Sequence, residues 1–153
     1  MSSSPRSEFV LDEQLCFALY TASRAMTGAY RDGLARLGLT YTQYLVLLLL
    51  WEHGSLPMGH LCERLHLDSA TLSPLLKRLA GEGLITRERS RVDERVVDIT
   101  CTAEGHALRD RAHEVQCDVE DAAGLTAEEL ATMRADLHRM AERLREHPAV
   151  HRS

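Results

Sequence analysis

One stretch, Leu56 to Thr102, constrains the fold of this chain more than any other: LPMGHLCERLHLDSATLSPLLKRLAGEGLITRERSRVDERVVDITCT. Met58, Leu61 and Leu65 recur at helical spacing after Pro57, which suits a helix start. Asp68 or Ser69 then caps a second helix, whose Leu72, Leu75, Leu76 and Leu79 form one apolar stripe. Gly81 and Gly83 end it. The period then drops to two. Ile85, Arg87 and Arg89 alternate with polar neighbours, and Val97, Ile99 and Cys101 do the same beyond a charged turn at Arg91 to Glu94. Helix, turn, helix and two-stranded hairpin, in that order, describe a helix-turn-helix followed by a β-wing.

The second helix presents a different surface opposite its leucines. Ala70, Thr71, Ser73, Pro74, Lys77 and Arg78 lie there, with Ser69 at the helix start. Small and hydroxylated groups with two cations let a helix lie close in a DNA major groove, touching base edges and phosphates. An ordinary solvated helix face would look much the same. Pro74 weighs for a functional face, because it removes an amide donor inside a helix. Arg91 and Arg95 at the hairpin tip suit an adjacent minor groove, with Asp93 expected to brace one of them. The charge distribution agrees. The whole chain carries −5, yet residues 69–97 hold six basic and four acidic groups, against 12 and 19 elsewhere. A locally positive face on an acidic body favours one docking orientation on phosphate.

The flanking sequence reads as helices. Leu11, Leu15, Leu19, Ala22, Met26 and Ala29 predict a first helix over residues 11–37, stopped by Gly38. Thr42 is the expected N-cap of the next helix, which is apolar almost all round from Leu45 to Leu50 and therefore central to the core. Thr102 caps a helix of about 20 residues that ends near Gly124. Thr126 with Glu129 makes a capping box, and Leu125 with Leu130 a hydrophobic staple. Leu130, Met133, Leu137, Met140 and Leu144 then form a coiled-coil-like seam. Packing within its own chain is one use for that seam. The expectation here is a homodimer, with 11–37 and 103–147 as dimerisation helices around a DNA-binding lobe at 56–102, all in a single domain of 1–153.

The fold class expected is mainly α with a small β-wing. No apolar run approaches the ~18 residues that span a bilayer, and MSSSPRSEF lacks the pattern of a signal peptide, so a cytoplasmic protein with no membrane partner is expected. Cys16, Cys62, Cys101 and Cys117 have no CxxC spacing and read as thiols rather than structural bridges. His60, Cys62 and His66 do not share one helical face; His106 and His113, seven apart, do, and would bind a metal only with partners elsewhere in the chain. No metal site and no cofactor is expected.

The string DSATLSPLLKRLAGEGLITRERSRVDERVVDITCTAEG resembles the MarR family of winged-helix regulators, especially in the wing segment RSRVDERVVDITCT, with Asp93 and Arg95 in D-x-R spacing. The resemblance covers about residues 12–146. It implies homodimers with interlocking terminal helices that bind pseudo-palindromic operators on double-stranded DNA, usually to repress. The strings LDEQLCFALYTASRAM and LTYTQYLVLLLLWE look like the organic-hydroperoxide-sensing (OhrR-type) branch. That resemblance implies a sensor role for Cys16, assisted by Tyr30 and Tyr41, with Tyr20 on a further tyrosine position. In some members a second cysteine, late in the chain, forms a disulfide between subunits; Cys117 is the candidate for that resolving role.

The residues impose their own conditions. Tyr20 is one turn from Cys16 on the same helix face. Tyr30 lies 14 residues on, roughly 21 Å along a continuous helix, so it meets Cys16 only from a partner subunit. Asp12 and Glu13, one turn before Cys16 in a helix that starts at Leu11, oppose an anionic sulfur. On spacing alone Cys16 also reads as a small core residue. The function expected is a peroxide-responsive repressor that releases its operator when Cys16 is oxidised. The alternative is a regulator released by a small aromatic or apolar ligand. A thiol peroxidase is a third reading, but the chain shows no second catalytic constellation, and an enzyme is not expected.

Overall fold

The computed structural model describes residues 9–148. A 3-10 turn (Leu11–Glu13) precedes α1 (Leu15–Ala35) and α2 (Tyr41–His53). A short strand β1 (Ser55–Pro57) leads into α3 (Met58–Leu65) and α4 (Ser69–Gly81). The hairpin β2 (Ile85–Arg89) and β3 (Val97–Cys101) follows, then α5 (Ala103–Ala107), α6 (Arg109–Ala123) and α7 (Ala127–Glu146). The chain divides into two compact units, Met1–Gln116 and Cys117–Ser153, with the division inside α6. Mainly α with a small antiparallel wing is the fold class the sequence leads one to expect.

In the first unit α2 is the central element, as its all-round apolar composition requires. Val46, Leu47 and Leu50 are fully buried, together with Leu61 of α3 and Leu72, Leu76 and Leu79 of α4. The one buried polar side chain among the described residues, Gln43, is accounted for by the helix start. Thr40, not Thr42, is the N-cap, and a capping box joins Thr40 to Gln43. The Gln43 amide donates to Thr40 Oγ1 at 3.3 Å, and the Thr40 amide donates to Gln43 Oε1 at 2.9 Å. The four-residue pattern Thr-x-x-Gln places the cap where both groups are satisfied.

Three helices stop by one device. After α1, α3 and α4 the amides of Leu39, Leu67 and Leu84 reach back five residues to Leu34, Cys62 and Leu79 at 3.0 Å each. The residue before each leucine takes positive φ: Gly38 (74°), His66 (54°) and Gly83 (76°). This is the Schellman stop, which favours glycine; His66 adopts it with a side chain.

The sheet order is β1-β3-β2, both pairs antiparallel. β1, a strand absent from the sequence reading, pairs Leu56 with Ile99 at the sheet edge, where Pro57 is tolerated. At the hairpin base Ile85 faces Cys101. The helix expected to run unbroken from Thr102 is two helices, α5 and α6, separated at Leu108. Thr102 does cap the first of them, accepting from the Gly105 amide at 3.1 Å.

The expected first helix is also interrupted. Gln14 is extended (ψ 122°), so α1 begins at Leu15 and the Leu11–Glu13 turn is a separate piece. In the second unit, Gly124 (φ 68°) ends α6. Thr126 and Glu129 form the expected capping box at the start of α7. The seam of α7 is uncovered: Met133, Leu137 and Leu144 are 50%, 39% and 51% exposed.

Candidate nucleic-acid interface and thiol site

Asp68 starts the candidate reading helix. Its carboxylate accepts from the Thr71 amide at 2.7 Å, and this hydrogen bond holds its pKa below the usual carboxylate value. With Leu72, Leu76 and Leu79 turned inward, Ser69, Thr71, Pro74, Lys77 and Arg78 are exposed, and Ser73 is half-buried. Their exposure is the inverse of the leucine stripe, so one helix serves core and surface together.

The wing tip is organised by Asp93. Its Oδ1 accepts from Arg95 Nε at 3.1 Å and from the Arg95 amide at 3.1 Å, and Oδ2 accepts from Arg95 Nη2 at 3.2 Å. The Arg95 side chain thus bonds both carboxylate oxygens, which lowers the Asp93 pKa. Asp93 therefore braces Arg95 rather than Arg91. The tip closes with the Val96 amide on Asp93 O at 2.9 Å and the Ser90 amide on Val96 O at 2.8 Å. Arg91 and Arg95 both point into solvent.

Cys16 is exposed, in the first turn of α1. The break at Gln14 changes its surroundings. Asp12 and Glu13 belong to the preceding 3-10 turn, so they do not stand one helical turn below the sulfur. Tyr20 is exposed one turn later, and Arg24 supplies a cation to it: Nη1 donates to the Tyr20 hydroxyl at 3.1 Å, and the guanidinium lies 5.4 Å from the ring centroid.

Tyr30 and Tyr41 are together, but α1 runs unbroken from Leu15 to Ala35, so they are not beside Cys16 of the same chain. Their ring centroids are 5.5 Å apart. Burial raises the Tyr41 pKa, which keeps it a neutral O–H donor near pH 7. Two further aromatics, missed from the sequence, complete this group. Tyr44, 3% exposed, has its ring 5.4 Å from Tyr30 and 6.2 Å from Tyr41. Trp51 meets Tyr44 edge-on at 6.3 Å. The signal was present: Tyr44 is three residues after Tyr41 and seven before Trp51, on one side of α2.

The four cysteines form no disulfide within the chain. Cys117 is exposed, Cys62 half-buried, and Cys101 buried with its pKa pushed up by desolvation, which keeps it an unreactive thiol. Among the described residues no three His, Cys, Asp or Glu side chains gather as a metal would require. No helix there is long and apolar enough to cross a membrane.

A model of the MarR family matches residues 39–97. The organic hydroperoxide resistance transcriptional regulator of Bacillus subtilis (strain 168) is 44% identical over 134 residues, spanning 88% of this chain and 91% of that protein. The chain belongs to the MarR family of transcriptional regulators. Among solved structures, reduced AbfR bound to DNA matches this MarR-family chain with a TM-score of 0.75 at 35% identity, over 89% of this chain and 95% of that one. AbfR of Staphylococcus epidermidis in its disulfide form matches with a TM-score of 0.64 at 34% identity, over 86% and 92%. The family match takes in α2, the helix-turn-helix and the wing up to Val97, while the relative's match extends well beyond it.

Proposed function

We propose that this chain is a homodimeric repressor that binds a pseudo-palindromic operator when reduced and releases it when an organic hydroperoxide oxidises Cys16. The observation that carries the reading is the exposed Cys16 in the first turn of α1, on the helix that also holds Tyr30 14 residues further on. The similarity to a hydroperoxide-resistance regulator and to AbfR, solved on DNA and in a disulfide form, supports it. The uncovered apolar residues Leu15 and Met26 on α1 and Met133, Leu137 and Leu144 on α7 support the dimer, since exposed stripes of this kind call for a partner surface. Within that dimer the partner's Tyr30 and Tyr41 donate to the Cys16 sulfur, which dimerisation alone can bring to them.

The chemistry is a two-electron oxidation of sulfur. The Cys16 thiolate attacks the peroxide oxygen distal to carbon; the S–O bond forms as the O–O bond breaks. The alkoxide leaves, takes a proton and departs as the alcohol, leaving Cys16 as sulfenic acid. A second thiolate, that of the partner's Cys117 or of a small cellular thiol, then attacks the sulfenic sulfur. The S–S bond forms, and hydroxide leaves and is protonated to water. Ser69, Thr71, Ser73, Lys77 and Arg78 read the major groove, and Arg91 and Arg95, the latter braced by Asp93, reach the minor groove. Two such heads tolerate little change in separation, because half-sites lie about one turn, roughly 34 Å, apart.

Operator binding by wild type and Cys16→Ser, before and after cumene hydroperoxide, tests the reading. Release in the wild type and none in Cys16→Ser is expected; equal release in both removes Cys16 as the sensor. A covalent dimer on non-reducing electrophoresis that disappears in Cys117→Ser assigns the resolving role, and its persistence removes it. A second reading has an observation of its own. A cavity of about 530 Å³ is lined by Tyr44, Leu48, Trp51, Arg109 and His113, among others, a size suited to a small aromatic ligand. On that reading, release by an aromatic acid survives in a cysteine-free protein.

A further inference from the structure

We propose that Tyr44 and Trp51 link the sensor tyrosines to the base of the wing, with Tyr44 as a positioning residue for Tyr30 and Tyr41 and the Trp51 N–H as the connection that oxidation breaks. The proposal rests on the thiol-sensor reading above and names how its signal reaches the reading head.

The chain of contacts is continuous. Tyr44 is buried, and its ring packs against both Tyr30 and Tyr41. Trp51, two turns further along the same side of α2, also meets its ring. Trp51 Nε1 donates to the carbonyl of Gly105 in α5 at 2.9 Å, a bond spanning 54 residues of sequence. Gly105 has no room to absorb movement. A Cβ there would stand 2.3 Å from Leu84 O and 2.7 Å from Cys101 Sγ. Those two contacts are the roots of the wing strands, because β2 begins one residue after Leu84 and β3 ends at Cys101.

Thr102 fastens the same junction. Its amide donates to Leu84 O at 3.1 Å, and its hydroxyl donates to Gly83 O at 2.7 Å while accepting from the Gly105 amide. Close-packed interiors pass displacement on rather than taking it up. The wing is a lever on this root, since five strand residues, about 16 Å, separate it from the tip that carries Arg95. On this proposal the Trp51–Gly105 bond, which is made in this structure, is the element that oxidation switches.

The test reads the coupling as a ratio, the operator Kd after oxidation over the Kd before it. Trp51→Phe keeps a ring and loses the donor. Its ratio is expected to fall about tenfold below the wild-type ratio while Cys16 still becomes sulfenic acid at the wild-type rate. Ordinary loss of packing would weaken both operator affinities and leave the ratio alone. An unchanged ratio in Trp51→Phe, with normal release in the wild type, overturns the link but not the sensor. A wild type that keeps its operator after Cys16 is oxidised overturns the sensor reading and the link with it. A second measurement does not depend on that variant folding. Trp51 is the chain's one tryptophan, so its emission reports on the link directly. Cumene hydroperoxide is expected to shift that emission in wild type at the rate of Cys16 oxidation, and to leave it unshifted in Cys16→Ser. Emission that does not respond in oxidised wild type overturns the proposal.

Discussion

Two regions of this chain carry the same apolar periodicity and meet opposite fates. In the helix-turn-helix lobe, Leu61, Leu72, Leu76 and Leu79 repeat at helical spacing and are fully buried. On α1 and α7, Leu15, Met26, Met133, Leu137 and Leu144 repeat in the same way, yet range from 39% to 64% exposed. The difference is not one of composition. Periodicity says that a helix has a face to cover; it does not say which surface covers it. In the lobe α2, α3, α4 and the sheet cover one another. On α1 and α7 the cover must come from elsewhere, which is why the proposed function places a second copy there.

The sharpest way to break this comparison is to cut into each region and see which property suffers. Leu76→Ala in the lobe should cost about 2–5 kcal/mol of folding stability in urea titrations, because a fully buried leucine leaves a cavity. Met133→Asp with Leu137→Asp on α7 should raise the dimer dissociation constant at least about a hundredfold, roughly 2.7 kcal/mol, in sedimentation, with helix content at high concentration retained. If the α7 pair instead unfolds the protein without first dissociating it, the two regions are not distinct in kind. A smaller cut sharpens the lobe side. Thr40→Ala removes the α2 cap and should lower stability by about 1 kcal/mol, whereas Thr42→Ala should change it little.

The smallest effect concerns pH. The cap on α4 holds Asp68 below its usual pKa, so the folded protein releases this proton more readily than the unfolded chain. The resulting stabilisation is present above the unfolded carboxylate value, near 3.8, and is lost as pH falls through the lower folded value. Asp68→Asn caps without titrating. The melting temperature of wild type relative to Asp68→Asn should hold steady above about pH 5 and decline below pH 4. A difference that grows on acidification would reverse the sign and sink the argument.

Much of the molecule follows from local rules. The leucine stripe of α4, the Asp68 and Thr126 caps, the glycine stops and the hairpin with its Asp93–Arg95 brace all involve groups within a few residues of each other. The cap of α2 was legible too, since Gln43 stands three residues after Thr40 and only one after Thr42. The start of α1 was less so: the acidic residues before Gln14 suit a helical first turn, and the separate 3-10 turn they form has no distinct signature. The separation of α5 from α6 at Leu108 has a tertiary partner: the Gly105 carbonyl, which a continuous helix would offer to the Arg109 amide, accepts instead from the Trp51 indole and the Leu108 amide.

Other features exist only after packing. β1 is three residues long, too short for an alternation to register, and it is a strand only because β3 lies beside it. Cys16 and Tyr30 share a helix in sequence and are separated by its length in space. Tyr30, Tyr41 and Tyr44 become one cluster because α1 turns back at Gly38 onto α2. The bond from Trp51 to Gly105 joins residues no local pattern connects. The order of elements, their caps and the exposed polar face of α4 were set by neighbours along the chain, where backbone geometry alone brings groups into reach. The aromatic cluster, the root of the wing and the uncovered stripes were set by which surfaces found each other, a matter of shape and volume across the whole molecule.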